Sequence, residues 1–236
     1  MNAIIKRELY SYFHSPIAYI VIAVFYFIAS LFFMIYCLFS DSNSFTYVFS
    51  SLTNWIVLLV LAPLLTMKVW SEEKKQKTEQ LLFTSPNSLT KIVFGKYFAI
   101  NIVYLICLFI LVVQVVIVSF FSHVALESIL GSFLGIVLYG VALFSIGMFI
   151  SSLTESQIIA FIATLAINFI IMITDTLSNL FTGTIGANIF KAISFTEHYK
   201  NFAMGILNIG DIIFFISVAA IFIFLNIRVF EKRRWS

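Results

Sequence analysis

The sequence predicts an all-α integral membrane protein with six transmembrane helices, and three observations carry that reading. The 236 residues are 61% hydrophobic and only 11% charged, whereas soluble domains run at about 45–50% and 25%. The apolar residues come in unbroken runs of roughly twenty, the length that crosses about 30 Å of hydrocarbon as a helix. Those runs do not alternate over about ten residues as barrel strands would, and in lipid that leaves a helical bundle.

The elements follow in order. Asn2 to His14 carries Ile4, Ile5, Leu9, Tyr12 and Phe13 at helical spacing, with Lys6, Arg7 and Glu8 between them. This predicts an amphipathic helix over 2–14 lying in the membrane interface, broken at Ser15-Pro16. The spans are expected at Ile17–Phe39, Phe49–Met67, Tyr97–Phe121, Ile129–Ile150, Gln157–Thr174 and Ile212–Val229. The first is too long for a signal-peptide core and reads as an uncleaved anchor. With the N-terminus cytoplasmic, only Lys191 and Lys200 of the 14 basic residues fall outside. The excess of basic residues on one side therefore puts both termini inside. The basic tail from Glu231 to Ser236 then faces anionic lipid headgroups and not nucleic acid.

The most informative polar stretch is SEEKKQKTEQLLFTSPNSLTKIVFGK, Ser71 to Lys96, between the second and third spans. Ser71 can cap a helix over 71–86, with Glu72 and Glu73 in the first turn, where the helix dipole favours acids. Glu73 and Lys77 are spaced as an i,i+4 ion pair. Leu81, Leu82 and Phe83 form an apolar tip, and Pro86 stops the helix. A plain connector has no reason to expose three large apolar groups, so the segment reads as a docking helix for a soluble partner.

Here the chain resembles the permease subunits of ABC transporters of the ABC-2 type. The resemblance rests on Glu73, Thr78, Leu81, Leu82, Pro86 and Ser88, then Gly95-Lys96. Lys77 stands where that family usually has glycine, and Gln80, beside Glu79, where glutamate is common. Arg7-Glu8-Leu9 with Tyr12-Phe13 and Ser15-Pro16-Ile17 resembles the family's N-terminal interfacial helix. His198, Phe202, Gly205-Ile206 and Asp211 resemble its pattern before the last span. The tail Arg228, Glu231, Arg233, Arg234, Trp235 resembles the ending of the gliding-motility-like branch.

The resemblance implies a multi-pass subunit of the bacterial plasma membrane that dimerises with the same or a related chain. Residues Glu72, Glu73, Lys77, Thr78, Glu79, Gln80, Leu81 and Leu82 would form the coupling helix, seated on one of two ATP-binding subunits. Arg7, Glu8, Tyr12 and Phe13 would belong to the interfacial helix. Residues 176–210, apolar yet broken by Gly183, Gly186, Gly205 and Gly210, would re-enter the outer leaflet, where covered irregular backbone is tolerated. The chain carries no G-x-x-x-x-G-K-[ST] phosphate loop. ATP and its magnesium are therefore expected on the partner, this chain binds no cofactor, and it is not itself an enzyme.

The remaining polar residues suggest packing before chemistry. His14, His123 and His198 are scattered over both faces and give no metal site. Cys37 and Cys107 read as apolar fillers, and no nucleophile–base arrangement can be built on one face. Asn54, Gln114, Asn168 and Asn226 suit hydrogen bonds between helices. Gly131 and Gly135 form a small-residue packing face. Pro63 is a candidate hinge, and Asp175 and His198 are candidate gate residues. The 28 phenylalanines suit an apolar path for amphipathic peptides, such as phenol-soluble-modulin-like toxins or antimicrobial peptides, or for lipid-like cargo. Two other classes stay open. An ion-coupled secondary transporter would need midplane carboxylates. A membrane enzyme or non-transporting scaffold would not need residues 72–82.

Overall fold

Ser15 and Pro16 set the first corner. Ser15 Oγ accepts the Ile17 N–H at 3.4 Å, and Pro16 opens the next helix, where its missing N–H would have had no partner in any case. The chain therefore closes α1 (Asn2–His14) and opens α2 (Pro16–Leu38). The computed structural model describes residues 1–39, 45–78, 88–121, 125–180 and 191–234. Every regular element among them is helical. Six helices are long and apolar enough to cross a membrane: α2, α3 (Phe45–Lys75), α4 (Leu89–Ser119), α5 (Leu126–Leu153), α6 (Gln157–Leu180) and α8 (Ile209–Arg234). The short α7 (Phe195–Ala203) lies between α6 and α8.

The helices outrun the hydropathy. α4 starts at Leu89, after Ser88 at the N-cap position, and carries Lys91 and Lys96 into the apolar span that begins at Tyr97, while α3 runs from Phe45 through a turn at 67–70 to Lys75 and does not end at Met67. Lys91 and Lys96 interrupt the apolar pattern without interrupting α4, whereas Lys68 falls in the turn at 67–70. α5 and α3 form the centre, with 67% and 61% of their apolar windows buried, against 17% for α6. Glycines let the backbones meet. A Cβ on Gly147 of α5 would stand 2.3 Å from Thr66 Oγ1 on α3, and one on Gly131 would stand 2.5 Å from the Phe202 carbonyl at α7. The small face of Gly131 and Gly135 thus receives the short α7, with Phe202 and Tyr199 over Gly135.

α3 contains a π-helical stretch, Leu52–Leu61, in which the ladder bonds residue i to i−5; at its end Ala62 N–H reaches the Val57 carbonyl. The next donor in that series would be Pro63 to Leu58, but proline has no N–H. Asn168 of α6, fully buried, supplies the missing donor: its Nδ2 reaches the Leu58 carbonyl at 2.7 Å. Pro63 therefore marks the seam where the wide ladder ends, and a side chain from a neighbouring helix closes it. The other polar residues in the spans behave unequally. Gln114 Nε2 reaches Ser30 Oγ at 3.5 Å and Asn54 Oδ1 accepts from Thr196 at 3.3 Å. Asn226, 1% exposed, has no hydrogen-bond partner among the described residues, contrary to the interhelical role expected of it. Cys37 and Cys107 are both free and buried.

Candidate functional site

Both candidate segments, α1 and the end of α3, arrive at one end of the bundle, where α4 begins. Leu9 and Phe13 of α1 pack on the apolar core, Tyr12 is buried, and Tyr12 Oη donates to the Leu65 carbonyl of α3 at 2.7 Å. Ile4 lies against Gly95 of α4, where a Cβ would stand 2.8 Å from its Cγ2. This close approach lets charges from three elements converge. Lys96 Nζ, on a side chain 1% exposed, reaches Glu73 Oε1 at 2.8 Å and Glu8 Oε1 at 3.1 Å. Arg7 Nη2 closes the ring, 2.7 Å from Glu8 Oε1 and 3.0 Å from Glu73 Oε1.

Two cations and two carboxylates thus neutralise one another in a place largely shielded from water, the condition under which buried charge is tolerated. Lys96 is held further by the Val69 carbonyl at 3.1 Å and stands 4.8 Å from the Trp70 ring centroid. Burial opposes the charged form of Glu8, yet Lys96 and Arg7 outweigh it and hold its carboxyl below the usual range. Burial likewise opposes the Arg7 cation, and the two carboxylates raise its pKa in spite of that. The Tyr12 phenol is pushed far up by burial, with Glu8 and Glu72 adding to the shift.

The end of α3 is fixed on its other side as well. Ser151 Oγ of α5 accepts the N–H groups of Trp70 and Ser71 at 3.2 and 3.3 Å. The Ser152 carbonyl accepts from Lys74 Nζ and, at 2.9 Å, from Arg233 Nη2 of α8. Trp70 and Phe230 pack with centroids 4.1 Å apart.

Several expectations change here. Ser71 is not a cap: Trp70 holds that position, and Ser71 Oγ instead donates back to the Met67 carbonyl. Glu73 does not pair with Lys77, because the tertiary partners Arg7 and Lys96 capture it. The helical turn ends at Lys75, and Lys77 adopts φ 57, a left-handed conformation that a non-glycine residue enters only under strain. Thr78 N–H and Oγ1 both reach the Glu73 carbonyl, at 2.9 and 3.3 Å. Glu79, Gln80, Leu81, Leu82 and Pro86 lie outside the described residues, as do His123, Gly183, Gly186 and Trp235. Lys96, read in sequence as an entry residue of the third span, is the centre of the cluster. Its signals in the sequence are the Gly95-Lys96 pair that resembles the family motif and a lysine beside an apolar run.

Beside the cluster is a cavity of about 640 Å³, lined by both strongly polar and apolar residues, among them Arg7, Glu8, Ser11, Tyr12, Lys68, Glu72 and Glu73.

At the opposite end, His198 and Asp211 come together. His198 Nδ1 bonds Asp211 Oδ1 at 2.5 Å, Asn201 Nδ2 donates to Asp211 Oδ2 at 2.7 Å, and the imidazole stacks on Phe214 at 4.0 Å. Asp211 is 3% exposed. Gly205, at φ 78, makes the turn between α7 and α8 that allows this. Asp175 lies in α6, and its side chain is outside the description. Among the described residues no group of three or more His, Cys, Asp or Glu could hold a metal.

No protein-family model matches the chain, and no curated protein matches it.

Proposed function

We propose that the chain is the membrane-spanning permease subunit of an ATP-driven exporter of the ABC-2 type. In this reading it lies in the bacterial plasma membrane with both termini cytoplasmic. It pairs with a second permease protomer, and two separate ATP-binding subunits hold ATP and magnesium. The observation that carries the reading is the ring of Arg7, Glu8, Glu73 and Lys96. It ties the last turn of α3, next to the segment where a soluble partner would push, to both α1 and α4. A displacement of that segment must then move the helices with it, because breaking the ring would strand buried charge. The φ 57 at Lys77 adds support. The resembling family usually has glycine there, and glycine is the residue that adopts such a backbone without strain.

Movement at this end would reach the membrane interior along α3, through the Pro63 seam held by Asn168. Two packed states of the bundle, biased by closure of the ATP-binding subunits, would alternately open and collapse a path between protomers. Asp175 and the His198–Asp211 pair sit toward the far end and are candidate gate elements. The abundance of phenylalanine suits amphipathic peptides or lipid-like cargo.

The test is co-purification of the tagged chain from its native host in a mild detergent. A stoichiometric soluble ATPase is expected, and it should be lost when Thr78, Leu81 and Leu82 are changed together to alanine, which leaves the ionic ring intact. A wild-type preparation that holds its lipids and other subunits but no ATPase sinks the proposal.

A further inference from the structure

The cavity beside the ionic ring contains a cation that the protein leaves unanswered. Lys68 is 7% exposed and lines the cavity wall. Its ammonium stands 4.3 Å above the Tyr12 ring, and among the described residues it makes no hydrogen bond and no ion pair. The Glu72 and Glu8 carboxylates act on this ammonium only from beyond ion-pair distance, so a buried charge over an aromatic face is still short of close acceptors. Arg7 and Lys96, on the same wall, are already taken by Glu8 and Glu73. Glu72, one turn from Lys68, is the mirror case: it acts on Lys68 at a distance, and among the described residues its one side-chain hydrogen bond is from Gln76 Nε2 at 3.5 Å. Three cations and three carboxylates line the cavity, so the wall is neutral overall, yet among the described residues Lys68 and Glu72 make no close ion pair with each other or with the ring.

An apolar groove lies at the same end of the bundle. It lies between α2 and α3, is lined by Ile20, Val24, Val60, Leu64 and Met67, and encloses about 220 Å³. Met67 on its wall is followed directly by Lys68 on the cavity wall, and Tyr12 on the cavity side is joined to Ile17 on the groove side by the Ser15 corner. Along α2 the groove runs from Ile17 to Phe25, about 12 Å at 1.5 Å per residue, which is within one leaflet of a bilayer of about 30 Å. A soluble protein cannot reach hydrocarbon depth, but an acyl chain is already there.

We propose that this corner binds one zwitterionic phospholipid of the ethanolamine class. The phosphate sits on Lys68, the primary ammonium on Glu72, and one acyl chain fills the groove between α2 and α3. The headgroup's two charges match Lys68 and Glu72, the two wall charges without a close ion pair, and the neutral wall disfavours a purely anionic lipid. The site does not depend on the transport reading.

The test uses the full chain, delipidated in mild detergent and titrated with phosphatidylethanolamine, phosphatidylglycerol, diacylglycerol or inorganic phosphate while bound lipid is counted by native mass spectrometry. One phosphatidylethanolamine per chain is expected. Lys68→Met should weaken it about tenfold or more, as loss of a charged hydrogen bond does, and Lys68→Arg should keep most of it. Val24→Trp, which fills the groove from its exposed rim and spares the charges, should weaken it as well, so a folding defect in the lysine variant does not decide the matter. Glu72→Gln should erase the preference over phosphatidylglycerol. Equal binding of phosphatidylglycerol or diacylglycerol by the wild type, binding of phosphate without a lipid, or unchanged binding in both Lys68→Met and Val24→Trp would each overturn the proposal.

Discussion

The two ends of the bundle are held by different kinds of contact. At the α1 end, the ionic ring joins residues far apart in the chain: Arg7 and Glu73 are separated by 66 positions, Glu73 and Lys96 by 23. At the far end, the His198–Asp211–Asn201 clasp joins residues only 13 and 10 positions apart. The first couples three elements into one body. The second shapes one turn and the approach of α7 to α8. Long-range buried charge transmits displacement between helices, whereas a local clasp fixes one corner.

The sharpest way to break this contrast is at Lys96. Lys96→Met leaves Glu8 and Glu73 partly buried with only the half-exposed Arg7 between them. Removing one partner of a buried ion group costs about 3–5 kcal/mol. We expect a large fall in thermal stability in detergent, with hydrogen exchange rising together in α1, the end of α3 and the start of α4. If exchange rises only around residue 96, the three elements are not one body.

Next comes the seam that lies between the two ends. Asn168→Ala strips the Leu58 carbonyl of its donor at a buried position, at a cost of about 1–3 kcal/mol. Pro63→Ala restores an N–H that can take over, so it should cost less in the Asn168→Ala background than in the wild type. A double-mutant cycle on thermal stability measures that coupling. Additive effects would mean that Asn168 and the missing proline donor are unrelated.

Much of this was legible in the sequence. The break at Ser15-Pro16 and the apolar face of Leu9, Tyr12 and Phe13 define α1 within the bounds observed. The six apolar runs give the six long helices. What failed was local electrostatics. The spacing of Glu73 and Lys77 favours an i,i+4 pair worth a few tenths of a kcal/mol, and two tertiary cations outbid it easily. Lys96 looks like a boundary residue because hydropathy sees its charge but not the carboxylates that neutralise it. The π ladder before Pro63 leaves no periodic trace over ten residues, so a proline there reads only as a kink. Asn226 shows the reverse: a polar residue in a span promises a partner, and none of the described residues supplies one.

At the far end the expected losses are smaller and local. Asp211→Asn keeps the shape and one acceptor oxygen but removes the charge that both His198 and Asn201 address. A loss of about 1–2 kcal/mol is expected, with faster exchange confined to residues 195–211 and α1 untouched. A change at α1 would erase the distinction between the ends.

The smallest effect is the pH response of Glu8 within the ionic ring, and its sign is opposite to that of its neighbour, because burial holds the Glu73 carboxyl above its usual range. The folded Glu8 carboxyl titrates below its usual value because Lys96 and Arg7 outweigh the burial that opposes ionisation. An unfolded glutamate titrates near about 4.3. The stabilisation from this group is therefore complete above that value and is lost as the pH falls through the lower folded value. The Glu8-dependent part of the protection of α1 against hydrogen exchange, read as wild type minus Glu8→Gln, should hold from neutral pH down to about pH 5 and then decline. In Glu8→Gln the part of the decline due to this residue should vanish, leaving a flatter curve from a lower starting point. A decline toward acid of equal size in the wild type and in Glu8→Gln would mean that Lys96 and Arg7 do not hold the Glu8 carboxyl down.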